Sequence, residues 1–203
     1  MHNLISAYPL YNFLKYCNNS TLEKIVLDCG AGGSNPPLSL FHEFGYETYG
    51  IEISDEQLEK ANQFCKEQRM TLNIINGDMR NIPCKNEFFS FLFSYNTSVH
   101  MKKKDFGLAF VEFLRVLKRD GLCYVNILSE ECSSCGVGTQ ISDGEFIQIE
   151  DNEELLYCHY KDKEPEKYFD GFDIVYKEKR IIQRKIENET FTSGYLDYIL
   201  MKR

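Results

Sequence analysis

Apolar and polar positions alternate along this chain in two rhythms. Short apolar runs recur at Ile25 to Cys29, Gly45 to Ser54 (alternating, then apolar through Gly50, Ile51, Glu52 and Ile53) and Leu72 to Met79. Phe88 to Tyr95 is dense enough in Phe and Leu to suit a strand buried on both faces of a parallel sheet, and Leu122 to Leu128 is the fifth run. Between them the period is helical: Phe106, Ala109, Phe110, Phe113, Leu114 and Leu117 line one face of Asp105 to Leu117, which stops at Asp120 and Gly121. Ser54 with Gln57 three residues on is a capping box. Pro36 and Pro37 suit a first helical turn with Ser34 or Asn35 as cap. Five strands alternating with helices specify a parallel sheet with right-handed crossovers.

Both ends depart from that rhythm. Leu4 to Tyr16 predicts a helix with Leu10, Phe13 and Leu14 on one side, followed by a polar connection, Asn18 to Thr21. Cys132 to Ser142 is a Gly, Ser and Cys-rich loop, and Glu145 to Lys161 alternates like a hairpin turning near Asp151 and Asn152. Pro165 to Phe169 suits a short helix ending at Asp170 and Gly171. Phe172 to Ile186 and Tyr195 to Met201 read as strands joined through Asn188 to Gly194, with a helix as the alternative for Ile181 to Ile186.

The chemistry concentrates where the first strand ends. Asp28, Cys29, Gly30, Ala31, Gly32, Gly33 and Ser34 form an acid followed by crowded glycines, a turn that lets a ligand lie against the main chain. Glu52 ends the second run 24 residues after Asp28, where a carboxylate can accept hydrogen bonds from both ribose hydroxyls of a nucleoside. Gly77 and Asp78 place a third acid after the third run. A dinucleotide fingerprint needs Gly at its sixth position, and Asn35 stands there.

The order acid, x, Gly, x, Gly, x, small residue (Asp28, Gly30, Gly32, Ser34), with Glu52 and Asp78 following on schedule, resembles the class I methyltransferases that use S-adenosylmethionine. The resemblance spans roughly Glu23 to Ser129; Ser34 stands where the family usually carries a third glycine. It implies a doubly wound α/β fold: a mostly parallel seven-stranded sheet, helices on both faces and an antiparallel last strand. It also implies roles. Asp28 orients the glycine loop, Gly30, Ala31 and Gly32 allow close approach, Glu52 holds the ribose and Ile53 packs on adenine. Asp78 and the Met79 amide read the adenine edge, and the Ser94 or Tyr95 backbone holds the methionine amino group. Residues 1–203 then form one domain: a lid helix (1–21), a cofactor-binding core (22–130), a loop and hairpin over the site (131–162) and a closing helix with strands (163–203). Tyr8 or Tyr11 touches the cofactor if the first helix is a lid; the alternative is an amphipathic helix packed on the sheet.

The fourth strand tip, Ser94 to His100, is where donor and acceptor would meet. His100 is the candidate acid or base by residue type, with Tyr95 and Asn96 positioning the acceptor; a pocket-lining His and plain turn residues are the competing readings. Family members that methylate amino groups of bases and glutamine often carry Asn or Asp, Pro, Pro, aromatic here, and this chain does not.

Composition narrows the partners. With 203 residues, 43% hydrophobic and 14% aromatic, the chain is long and apolar enough for one full core. A net charge of −8 argues against a nucleic-acid partner, and Lys102 to Lys104 reads as a solvated helix start. The first fifteen residues lack a signal-peptide pattern and no run reaches membrane-spanning length, so a cytoplasmic protein with no membrane partner is expected. Of the eight cysteines, Cys29, Cys65 and Cys123 fall inside core elements, where a free thiol behaves as a small apolar group, and most of the eight read as reduced. Cys132, Ser133, Ser134, Cys135 has a spacing found in redox and zinc sites, but no second pair follows at ligand spacing and Cys158 with His159 falls in a different predicted element, so neither a metal nor a disulfide role is expected. Gly136 and Gly138 would be hinges if that loop closes over the site. The reading is methyl transfer to a small-molecule acceptor, with oligomeric state open. Its rivals are a non-catalytic cofactor-binding or regulatory protein of the same fold, a NAD-dependent oxidoreductase, and a methyltransferase acting on RNA or protein.

Overall fold

The computed structural model describes residues 4–150, 152–187 and 189–203; the expected turn at Asp151 and the joint at Asn188 lie outside them. Strands β1 (Ile25–Cys29), β2 (Glu47–Glu52), β3 (Ile74–Asn76), β4 (Phe89–Ser94) and β5 (Leu117–Ser129) pair in parallel in the order β3-β2-β1-β4-β5. The chain closes with β9 (Phe172–Ile186) and β10 (Glu189–Lys202). β10 runs antiparallel between β5 and β9, which makes the expected seven-stranded sheet with its antiparallel last strand. Ile181 to Ile186 is strand, and β10 begins at Glu189, six residues before the expected Tyr195, because the two strands stay in register right up to their joint.

Three further strands were not all foreseen. β6 (Thr139–Ser142), β7 (Glu145–Glu150) and β8 (Glu153–Tyr160) form an antiparallel meander. β8 joins β5 in parallel through Leu128↔His159 and Ser129↔Tyr160, beyond the point where β4 has ended. The meander therefore rises from the sheet directly over the tip of β4.

Apolar side chains cover both faces of the sheet. One face packs against α4 (Lys103–Val116), whose Phe106, Phe110 and Phe113 recur at helical spacing and are fully buried with Leu27, Leu92 and Val125. Each such burial contributes roughly 1.5–3 kcal/mol. The other face carries α1 (Leu4–Asn19) and α2 (Leu38–Glu43), where Phe13 meets Phe41, Phe93 and Tyr124 with ring centroids 5.7–6.4 Å apart. The face of α1 that carries Leu10, Phe13 and Leu14 is thus packed on the sheet, and its helix runs on through the polar residues Asn18 and Asn19.

Local details correct two expectations. α2 starts at Leu38 with Pro37 as its cap residue, whose ring has no acceptor for a side-chain cap bond; Ser39 instead donates both its amide and its hydroxyl back to the Pro36 carbonyl (3.0 and 2.8 Å). Lys103 is not a solvated helix start: its ammonium pairs with Glu164 at 2.8 Å, and its amide donates to the Glu145 carboxylate at 2.7 Å. Among the described residues no helix is long and apolar enough to cross a membrane, and no cluster of three or more His, Cys, Asp or Glu could hold a metal ion.

Candidate functional site

A cleft of about 940 Å³ opens at the C-terminal tips of β1, β2, β3 and β4. Its floor is the turn after β1. Gly30 takes φ +98° and Gly33 φ +94°, and the amides of Gly30 and Ala31 both donate to the Ile51 carbonyl at 2.9 and 3.0 Å, folding the loop onto β2. A Cβ at Gly30 would stand 2.1 Å from Thr97 Oγ1. A Cβ at Gly32 would stand 2.6 Å from both Glu52 Oε2 and Gln57 Cβ. Only glycine fits either place.

Glu52 is held by its two oxygens. Oε2 accepts the Gly32 amide at 3.0 Å and Oε1 accepts the Ser54 amide at 2.9 Å, so the carboxylate is fixed while each oxygen keeps a lone pair for the cleft. This changes the expected capping box. The Ser54 hydroxyl accepts the Gln57 amide at 3.3 Å as predicted, but the reciprocal bond to the Ser54 amide comes from Glu52 rather than Gln57. α3 (Asp55–Gln68) and the Glu52 carboxylate are thereby built as one unit.

Asp28, Ala31 and Ser94 lie behind the wall and do not line the cleft. Asp28 is buried with Oδ2 lacking a partner; burial, and then the charge of Glu52, push its carboxyl well above the usual range. Ala31 turns its methyl toward Gly50. Ser94 braces β4 through a 3.0 Å hydroxyl contact with Ser98. Glu52, Ile53, Asp78 and Met79 do line the cleft, with Ile53 exposed at the rim and the Met79 side chain largely buried in the core. Asp78 carries a neighbour that the sequence reading missed. Arg80 grips it at 2.6–3.0 Å and reaches Asp105 at 3.3 Å, and that hydrogen bonding holds the Asp78 carboxyl below its usual range.

Tyr95, Asn96, Thr97 and His100 form the wall above β4. Asn96 adopts a left-handed φ of +57° and is locked by Asn126, which accepts its backbone amide at 2.7 Å and donates to its side-chain oxygen at 2.6 Å. His100 Nδ1 lies 2.9 Å from the carbonyl of Leu156 in β8, and its ring meets Tyr157 edge to face at 5.0 Å. A carbonyl can only accept, so Nδ1 carries the proton and Nε2 keeps the lone pair in the neutral ring. Leu155 and Leu156 complete the wall; they had no signal in the sequence, because their place depends on where β8 joins β5. Neither Tyr8 nor Tyr11 lines the cleft.

A glycine turn at the tip of the first strand, acids at the next two tips and an antiparallel strand inserted beside the fifth give the chain the fold of the class I methyltransferases, which use S-adenosylmethionine. The comparisons agree. Residues 27–125 match the family described as methyltransferase domain. The fold is shared with an S-adenosylmethionine-dependent methyltransferase from Methanosarcina mazei (TM-score 0.73, 19% identity, 93% of this chain and 96% of that one). It is shared also with one from Clostridium acetobutylicum (0.72, 18%, 96% and 90%) and with a protein from Pyrococcus horikoshii (0.71, 20%, 98% and 89%). No curated protein matches the chain.

The residues fit that cofactor. Its adenosine needs an acceptor pair for two hydroxyls, which the fixed Glu52 carboxylate has, and a main-chain surface without side chains, which Gly30 and Gly32 form. Its cationic methionine end suits a loop backed by the unpartnered oxygen of Asp28.

Proposed function

We propose that this protein methylates a small-molecule acceptor, with Glu52 holding the ribose of S-adenosylmethionine, Asp78 and the Met79 backbone at the adenine edge, and Ile53 packed on the ring. The acceptor lies between Tyr95, Asn96 and His100 on one side and Leu155 and Leu156 on the other. When bound, S-adenosylmethionine supplies a methyl group already activated on a sulfonium, so the protein has chiefly to align the acceptor and exclude water.

The observation that carries the reading is the bond between His100 Nδ1 and the Leu156 carbonyl. It fixes the ring against the meander with Nε2 as the basic nitrogen of a cleft-lining residue, which suits removal of a proton from an acceptor hydroxyl or amine. Size supports a modest acceptor: about 940 Å³ is near the upper end of small-molecule sites, and the cofactor itself takes much of it. Leu155 and Leu156 of the meander wall the acceptor side, which favours a small acceptor over a folded macromolecule.

Calorimetric titration with S-adenosylmethionine, S-adenosylhomocysteine and NAD tests the cofactor assignment. Binding of the first two without NAD is expected, and binding of NAD alone would overturn it. Screening small hydroxyl, amine and thiol compounds for methyl transfer then tests the acceptor class; turnover confined to a protein or RNA substrate would sink it.

A further inference from the structure

The Cys132 to Cys135 turn lies outside the cleft lining, yet its side chains are organised. The Ser134 hydroxyl donates to Cys132 Sγ at 3.1 Å and lies 2.8 Å from His159 Nε2. Its single proton is committed to sulfur, so Ser134 Oγ must accept from His159, whose Nε2 carries the hydrogen. His159 is 1% exposed and its Nδ1 has no partner. In the neutral ring that orphan is a lone pair, so the chain of donors runs one way: from His159 through Ser134 to the sulfur of a partly exposed cysteine.

The second thiol is within reach. The Cys135 amide donates to the Cys132 carbonyl at 2.9 Å, closing a turn. A turn of this kind brings its end Cα atoms within about 7 Å, which overlaps the span a disulfide bridges. Burial works against ionisation at Cys132, but hydrogen bonding from the His159–Ser134 pair and from the backbone at Ser134 and Gly194 outweighs it and lowers the thiol to about 6. Burial, then the charges of Glu130 and Cys132, raise Cys135, with Lys103 opposing and Asp143 adding to them. Burial raises Cys17, Cys29, Cys123 and Cys158 as well.

We propose that Cys132 and Cys135 form a thiol–disulfide exchange site for a low-molecular-weight disulfide, with Cys132 attacking and Cys135 resolving. The Cys132 thiolate attacks one sulfur of the disulfide RSSR; the S–S bond breaks, RS⁻ leaves and takes a proton from water, and Cys132 is left as a mixed disulfide. Cys135 loses its proton to solvent and attacks Cys132 Sγ, releasing the second RS⁻, which is protonated in turn. Two protein thiols are oxidised and one small disulfide is reduced to two thiols. The polarised sulfur, the adjacent resolving thiol and the lack of a metal cluster among the described residues separate this from a zinc site.

The test uses the full chain, with iodoacetamide and oxidised glutathione as probes and peptide mass spectrometry as readout. Alkylation of Cys132 between pH 6.0 and pH 7.5 should rise only about twofold, against about 30-fold for a thiol of ordinary pKa. Oxidised glutathione should give an internal Cys132–Cys135 disulfide in the wild type and a stable glutathione adduct at Cys132 in Cys135→Ser. Ser134→Ala should move the alkylation midpoint upward with the circular dichroism spectrum unchanged. A wild-type profile with an ordinary thiol midpoint, or a Cys135→Ser protein whose first adduct forms at another cysteine, would overturn the proposal.

Discussion

Glu52 Oε2 accepts the amide of Gly32 at 3.0 Å, and a Cβ at position 32 would stand 2.6 Å from that same oxygen. The Glu52 carboxylate and the glycine turn therefore constrain each other. Gly32→Ala must displace Glu52 or Gln57, and Glu52→Ala removes the acceptors outright. Charge-assisted hydrogen bonds contribute about 1.5–3 kcal/mol each, so Glu52→Ala should weaken S-adenosylmethionine binding by at least about 100-fold. Gly32→Ala should weaken it in the same direction. Calorimetry on both variants checks this, with intact binding in Glu52→Ala counting against the assigned contact.

His100 offers a separable test. Removing a positioned general base typically costs about 10²–10⁴ in rate. His100→Ala should lower kcat in that range with the cofactor Kd unchanged, and a variant with unaltered kcat would leave His100 as wall only. Nitrogen-15 spectra of the neutral ring should show the proton on Nδ1, as the Leu156 carbonyl demands.

Asp28 should leave a mark on stability against pH. Its folded carboxyl titrates above the usual range, chiefly through burial and secondly through Glu52, so the folded state holds that proton more tightly than the unfolded chain. The associated stability is fully present below the unfolded carboxylate pKa of about 4 and is lost as pH rises through the folded value. Asp28→Asn should therefore raise the urea midpoint of the cofactor-free protein at neutral pH, and the gain should shrink as pH falls toward 4. A gain independent of pH would contradict the buried-carboxyl account.

Asp197 anchors a buried network beside β5. It is 1% exposed, accepts from Arg180 at 2.6 and 3.1 Å and from the Tyr124 hydroxyl at 2.6 Å. Removing the cation leaves a buried charge without its partner, which typically costs about 3–5 kcal/mol, whereas one lost hydroxyl costs about 1–3 kcal/mol. Chemical denaturation should thus rank Arg180→Met below Tyr124→Phe, and the reverse order would mean that Asp197 is held mainly by the hydroxyl.

Much of the architecture was written locally. The runs at Ile25, Gly45, Leu72, Phe88 and Leu122 became parallel strands because apolar side chains on both faces leave no alternative to a sheet covered twice. Glycines crowded after Asp28, and acids at the ends of β2 and β3, marked the cleft for the same reason: left-handed backbone and strand-tip carboxylates are properties of single residues and short spacings. Boundaries were less legible. β5 starts at Leu117, five residues before the expected Leu122, because its pairing with β4 passes through an irregularity that a turn at Asp120 and Gly121 concealed.

What only the tertiary structure decided are contacts between segments far apart in the chain. The α4 N-terminus takes its acceptor from Glu145, 42 residues on; His100 takes its tautomer from Leu156, 56 residues on; and Ser134 meets His159 across 25. Each depends on where β8 docks on β5, and that docking is set by two residue pairs beyond the end of β4. Spacing along a sequence encodes helices, strands and their tips, since those are local hydrogen-bond patterns. It does not encode which carbonyl a remote histidine will face, because that follows from the packing of the whole sheet.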